Sequence, residues 1–189
     1  MNLEPESIKK HLRQEIKARV RELSAEEKWH RSESIAQAAT FSKAFISAAL
    51  LMMYLPLPEE VDTWPIIQAA WAAGKQVAVP VTSVREKTIE PRLIRPGDEM
   101  HLVRGAFGIM EPQAFAPKVE VGAIELVFVP CVGFDAGHRR LGHGGGYYDR
   151  FLAGLSEGTP MIGLAFAQQR VDSIPSEPTD ISLTDVLWA

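Results

Sequence analysis

One cysteine, Cys131, stands in 189 residues, so no disulfide can form within the chain. That suits a reducing compartment, and a lone cysteine reads first as a small buried hydrophobe. Long hydrophobic runs are also missing. The longest, AALLMMYL at residues 48–55, falls far short of the roughly 20 residues a membrane span needs. The first ten residues hold two glutamates and two lysines and no apolar core, which is not the pattern of a secretory leader. A cytoplasmic protein with no membrane partner is expected. A basic surplus is absent as well: 20 Lys and Arg face 24 Asp and Glu, a formal net charge of −4. Nucleic acid is therefore not an expected partner. His11, His30, His101 and His138 show no metal-ligand spacing, and no thiol-protease context surrounds Cys131.

What remains is an ordinary globular composition, 46% apolar and 23% charged. The length suits one domain, residues 1–189, able to bury roughly 70% of the surface its unfolded form exposes. Ile8, Leu12, Ile16 and Val20 recur every four residues, a helical stripe. Ser24 with Glu27 forms a capping-box pattern opening a helix over residues 25–39. Residues 47–55 read as a buried strand ended by Pro56 and Pro58. Thr63 is placed to cap a helix over residues 64–73, with Gly74 at its C′ position. Residues 76–80 and 125–130 read as buried strands, residues 88–94 as an edge strand because of Pro91, residues 147–155 as a helix, and residues 161–166 as the last clear strand. Strands alternating with helices imply an α/β fold, a largely parallel sheet with helices on both faces. Ligands of such sheets gather beyond the carboxyl ends of the strands, here residues 56–62, 131–149 and 167–180.

The most informative segment is RRLGHGGGYYDRF, residues 139–151, with four glycines in five positions. It leaves a buried strand and opens a helix, an arrangement suited to binding an anion such as phosphate. Arg139 and Arg140 lie just upstream, where guanidinium groups can grip phosphate oxygens. Asp149 lies in the first helical turn, a natural magnesium ligand beside bound phosphates. Lys9 and Arg13, four apart, share one helix face, with Lys17 and Arg21 extending the row as a solvated stripe.

At this loop the sequence resembles the 5-formyltetrahydrofolate cyclo-ligase family, whose signature is similar to Arg140, Leu141, Gly142, His143, Gly144, Gly145, Gly146, Tyr147, Tyr148, Asp149. VFVPCVGFD before it, KxxxR at Lys9 and Arg13, EEVDT at residues 59–63, GIMEP at 108–112, AFAQQ at 165–169 and DISLTDVL at 180–187 follow in the order the family shows. The resemblance implies a three-layer α/β/α fold related to sugar-phosphate isomerases and CoA transferases. It also implies a reaction that consumes ATP and 5-formyltetrahydrofolate and yields 5,10-methenyltetrahydrofolate, ADP and phosphate. By the same resemblance Lys9, Arg13 and the segment from Arg140 to Tyr148 contact ATP. Leu55, Glu60, His143, Gly144, Gly145, Gly146 and Tyr147 contact the folate. Asp149 and Asp180 hold Mg²⁺, Arg140 and Asp149 are catalytic, and Gln169 is a candidate polar contact. The protein is expected to act as a monomer on these small molecules. Two departures stand out: His143 where the family often has Tyr or Arg, and Gly145 where some members carry Lys. Two other readings stay open at this point, an isomerase or CoA transferase on a similar fold, and a non-catalytic reduced-folate store.

Overall fold

The computed structural model describes residues 4–189, so the first three positions of the leader reading lie outside it. Helix α1 (Pro5–Arg21) turns its apolar stripe inward, burying Ile16 and Val20. Helix α2 (Ala25–Thr40) opens on the expected capping box. Ser24 Oγ accepts from Glu27 N at 3.1 Å, and Glu27 Oε2 accepts from Ser24 N at 2.8 Å.

The run at 47–55 is only partly strand. Ser42 caps a short helix, α3 (Lys43–Ser47), by accepting from Phe45 N. Strand β1 (Leu50–Met52) follows. Residues 53–55 stay buried beyond the ladder. Helix α4 (Trp64–Ala72) is capped differently from expectation. Asp62 Oδ1 accepts from Trp64 N at 3.0 Å, and the Thr63 hydroxyl turns inward to donate to Tyr54 O at 2.7 Å. Gly74, at φ 72°, ends the helix as the sequence indicated.

Strand β2 (Gln76–Ser83) runs parallel to β1 and hairpins into antiparallel β3 (Thr88–Ile94) at the sheet edge. A small two-stranded excursion, β4 (Val103–Arg104) with β5 (Met110–Glu111), comes next. Strand β6 (Leu126–Pro130), buried at every position, pairs parallel with β1. A second small ribbon, β7 (Gly133–Phe134) with β8 (Arg140–Leu141), leads to the glycine loop and helix α5 (Tyr147–Leu152). That helix stops earlier than expected, where Gly154 N turns back to Phe151 O. Strand β9 (Met161–Ala165) pairs parallel with β6. A final strand, β10 (Asp185–Trp188), was not foreseen. It runs parallel to β9 at the other edge, where only one of its four residues is fully buried, so it carries no apolar run to announce it.

The six-stranded order is β10-β9-β6-β1-β2-β3, parallel but for β3. Alternate residues serve two cores. Leu51, Val77, Val79, Leu126, Phe128 and Leu164 face α1, α2 and α4. Leu50, Met52, Ala78, Val127 and Val129 face α5 and the irregular segments around Ile124 and Leu183. Burial on both faces explains why the strands read as continuous apolar runs. Each fully buried Leu, Val or Phe contributes about 1.5–3 kcal/mol by leaving water. No described helix is long and apolar enough to cross a membrane.

Candidate active site

Beyond the carboxyl ends of β1, β2 and β6 lies a cleft of about 1050 Å³. Its walls are the first half of α1, the residues after β1, the β2–β3 hairpin, the glycine loop and the segment near residue 180. Every candidate that the sequence pointed to for nucleotide, folate or metal lines this one cavity. Lys9 and Arg13 come from α1, Leu55 and Glu60 from the loop after β1, Arg140 to Asp149 from β8 and its continuation, and Asp180 from the final loop. Two residues are exceptions. Arg139, read beside Arg140 as a grip for phosphate, is absent from the lining, and its Nε donates to Asp135 Oδ2 at 2.8 Å. Gln169 is the other. It is 3% exposed, and its side-chain amide donates to the carbonyls of Cys131 and Val132 while its oxygen accepts from Phe166 N. A buried amide serving three backbone groups is a structural brace, so Gln169 does not face the cleft.

The charged groups form linked pairs. Lys9 is 5% exposed, yet its Nζ donates to Glu177 Oε2 at 2.6 Å and Asp180 Oδ2 at 2.7 Å. Burial by itself would lower its pKa. The Asp180 and Glu177 carboxylates outweigh that and hold it above the ordinary lysine value. Arg140 Nη2 donates to Asp149 Oδ1 at 2.8 Å, and its guanidinium lies 5.7 Å from the centre of the Tyr148 ring. Arg13 Nε donates to Gly142 O at 2.9 Å, tying α1 to the glycine loop. In that loop Gly144 and Gly146 adopt φ of 99° and 64°, the left-handed region that glycine enters without strain. His143 Nε2 stands 3.1 Å from Glu60 Oε1, while Glu60 Oε2 accepts from Leu57 N at 2.9 Å.

The donor set can be tested against a hard divalent cation. Asp149 Oδ1 also accepts from Ile181 N at 3.4 Å, which brings Asp149 beside Asp180. Asp180 Oδ2 accepts from Lys9 and from Glu177 N. Each carboxylate is thus anchored through one oxygen, and its other oxygen makes no hydrogen bond among the described residues. The described residues contain no cluster of three or more acidic, His or Cys ligands. Two carboxylates with free oxygens fit magnesium, which takes one or two protein carboxylates and completes its shell with phosphate and water.

Among the described residues no cysteine or serine lines the cleft. Cys131 is buried, and burial pushes its thiol up to about 12. Burial likewise raises the Tyr148 hydroxyl well above its ordinary value, so it stays protonated. Several lining residues carried no sequence signal. Glu177, Lys9's second partner, lies in a loop already marked as a strand-end segment. Phe107, at φ 57° and edge-on to Tyr147 with centroids 5.6 Å apart, comes from the β4–β5 excursion. Arg150 also lines the cavity, and so does half-buried Lys17, which the α1 row had placed in a solvated stripe.

A parallel sheet opening onto a deep cleft of paired charges, glycines and aromatic rings defines a small-molecule enzyme. Residues 5–189 match the model of the 5-formyltetrahydrofolate cyclo-ligase family, and the chain belongs to that family. A relative from Caenorhabditis elegans, described as a probable 5-formyltetrahydrofolate cyclo-ligase, is 31% identical over 96% of this chain and 92% of its own length. The 5-formyltetrahydrofolate cyclo-ligase of Haemophilus influenzae is 30% identical over 93% of this chain and 96% of its own. Among solved structures, the Aquifex aeolicus 5,10-methenyltetrahydrofolate synthetase superposes with a TM-score of 0.81 at 28% identity, covering 96% of this chain and 89% of that one. Membership of the family sets aside the isomerase and CoA-transferase readings.

Proposed function

We propose that this enzyme, acting as one domain and as a monomer, converts 5-formyltetrahydrofolate to 5,10-methenyltetrahydrofolate and hydrolyses ATP to ADP and phosphate in doing so. The family assignment supports the folate reaction. The observation that carries the ATP dependence is that Lys9, Arg13 and Arg140 line one cleft with the glycine loop, beside two carboxylates that each keep one oxygen free.

A formamide carbon is a poor electrophile, and hydroxide is a poor leaving group. Phosphorylation solves both problems. The formyl oxygen attacks the γ-phosphorus and ADP leaves, giving an imidate phosphate on the folate. The neighbouring amine then attacks the activated carbon, loses its proton, and phosphate departs as the ring closes. The protein's part is positioning and charge neutralisation. Lys9, Arg13 and Arg140 spread the charge that grows on the transferring phosphoryl group. Asp149 and Asp180 would hold Mg²⁺, which when bound neutralises phosphate charge. Glu60 accepts hydrogen bonds from the amino-pyrimidine edge of the pterin, once its His143 contact gives way. Leu55 and Tyr147 flank the ring, and no covalent enzyme intermediate is needed.

The test follows methenyl product by its absorbance, with ADP release measured in parallel, at varied ATP and Mg²⁺. Product that forms only with ATP, in step with ADP, is expected. Tight folate binding with no product under any condition would return the protein to the class of folate stores.

A further inference from the structure

Outside the residues given roles above, the densest set of contacts at the cleft belongs to Arg150. It follows Asp149 on α5 and lines the cavity. Its Nε donates to Lys87 O at 2.8 Å, in the turn between β2 and β3. Its Nη2 donates to Gly145 O at 2.8 Å, in the glycine loop. The same guanidinium lies 5.5 Å from the centre of the Tyr147 ring. The hairpin turn, a distant part of the wall, and the glycine loop that opens α5 therefore meet on one planar group.

Two backbone details show how closely the pieces are fitted. Lys87 sits at φ 54°, a conformation a lysine seldom adopts unless its surroundings impose it. A Cβ placed on Gly146 would fall 2.8 Å from Arg150 Nη1, so the loop backbone is seated directly against the guanidinium. Arg150 is exposed and makes no ion pair among the described residues, and two of its three nitrogens are spent on carbonyls. A four-glycine loop loses much conformational freedom when it is ordered. The rigid fork of an arginine serves these two carbonyls from two separate nitrogens, whereas a lysine would have to reach both from one ammonium.

We infer that Arg150 is a positioning residue that fixes the glycine loop against the β2–β3 hairpin and Tyr147 before any ligand arrives. Its effect on turnover rests on the ATP reading above, but the clamp itself does not. The test uses Arg150→Met and Arg150→Lys in the full chain. Without ligand, backbone ¹⁵N relaxation should show the amides of Gly144, Gly145 and Gly146 falling from order parameters of about 0.85 towards about 0.6 in both variants. The amides of β1, β6 and β9 should keep their values. In the methenyl assay both variants should raise KM for ATP by about tenfold, as for loss of a hydrogen bond to a charged group, with a smaller fall in kcat. Unchanged loop order parameters in Arg150→Met would overturn the clamp. Full recovery of order and KM in Arg150→Lys would also overturn it, by showing that charge alone matters. If the wild-type protein makes no methenyl product, the function fails while the relaxation data still decide the clamp.

Discussion

The two edges of the central sheet use charge in opposite ways. At the amino edge, charged and polar side chains are spent on backbone. Lys75 Nζ donates to the carbonyls of Ile46 and Ala48, at 3.0 and 2.7 Å. Glu125 Oε2 accepts from Ala49 N at 2.7 Å, and Thr184 Oγ1 accepts from Met161 N at 3.0 Å. At the carboxyl edge Arg13 and Arg150 also reach backbone, but other charges are spent on one another, as in Lys9 with Asp180 and Arg140 with Asp149. The first arrangement closes an edge and leaves nothing to exchange. The second keeps buried or half-buried charges in reach of a cavity, where an incoming anion or cation can trade places with a protein partner. Unlike the amino edge, the carboxyl edge gives up some stability for readiness.

Substitutions can break or sharpen this contrast. The largest effect should come from the layer shared by both edges. Phe128→Ala, in the fully buried middle of β6, should cost about 3–5 kcal/mol of stability in denaturant melts. Next is Asp149→Ala, which should lose at least about 3 kcal/mol of transition-state stabilisation, a hundredfold or more in kcat/KM. Near-normal turnover in magnesium buffer would remove Asp149 from the site. Lys9→Met should raise KM for ATP by about tenfold or more, because it deletes a charged donor and strands two carboxylates. Its signature is a change in nucleotide response that Phe128→Ala does not share.

Asp135 bridges the two behaviours. It is 1% exposed and accepts from the backbone N–H groups of Gly137, Arg139 and Ile174 and from the Arg139 guanidinium. Burial opposes its ionisation, but the backbone donors and Arg139 prevail and hold its carboxyl below the ordinary range. A depressed folded value means the stabilisation is complete above the unfolded carboxyl pKa of about 3.9, and is lost as pH falls through the lower folded value. Asp135→Asn should therefore cost about 2 kcal/mol at neutral pH, with the gap to wild type closing in strongly acidic melts. The smallest effect belongs to the amino edge. Lys75→Met should cost about 1 kcal/mol of stability and leave turnover unchanged. A loss of activity there would erase the distinction between the edges.

The sheet was legible because its chemistry is local. Residues 76–80 and 126–130 announce themselves as apolar runs, since burial on both faces demands it. The helix openings were legible at Ser24 and misread at Thr63, where a neighbouring aspartate took the capping bond and the threonine found a buried carbonyl. Strand β10 was missed because an edge strand with Trp188 half exposed has little reason to be uniformly apolar. In the site, the glycine loop and Asp149 carried their own signal in composition and placement. Glu177 and Arg150 did not, because each gets its meaning from a partner far along the chain or from a carbonyl, and neither leaves a trace in spacing. Gln169 shows the converse: a polar residue in a promising loop that the fold consumes for its own backbone.

The bond from Lys9 to Asp180 joins positions 171 residues apart. During synthesis, helix α1 emerges long before the acid it pairs with. Until residues 177–181 are made, Lys9 lacks its carboxylate partners and the cleft lacks one of its walls.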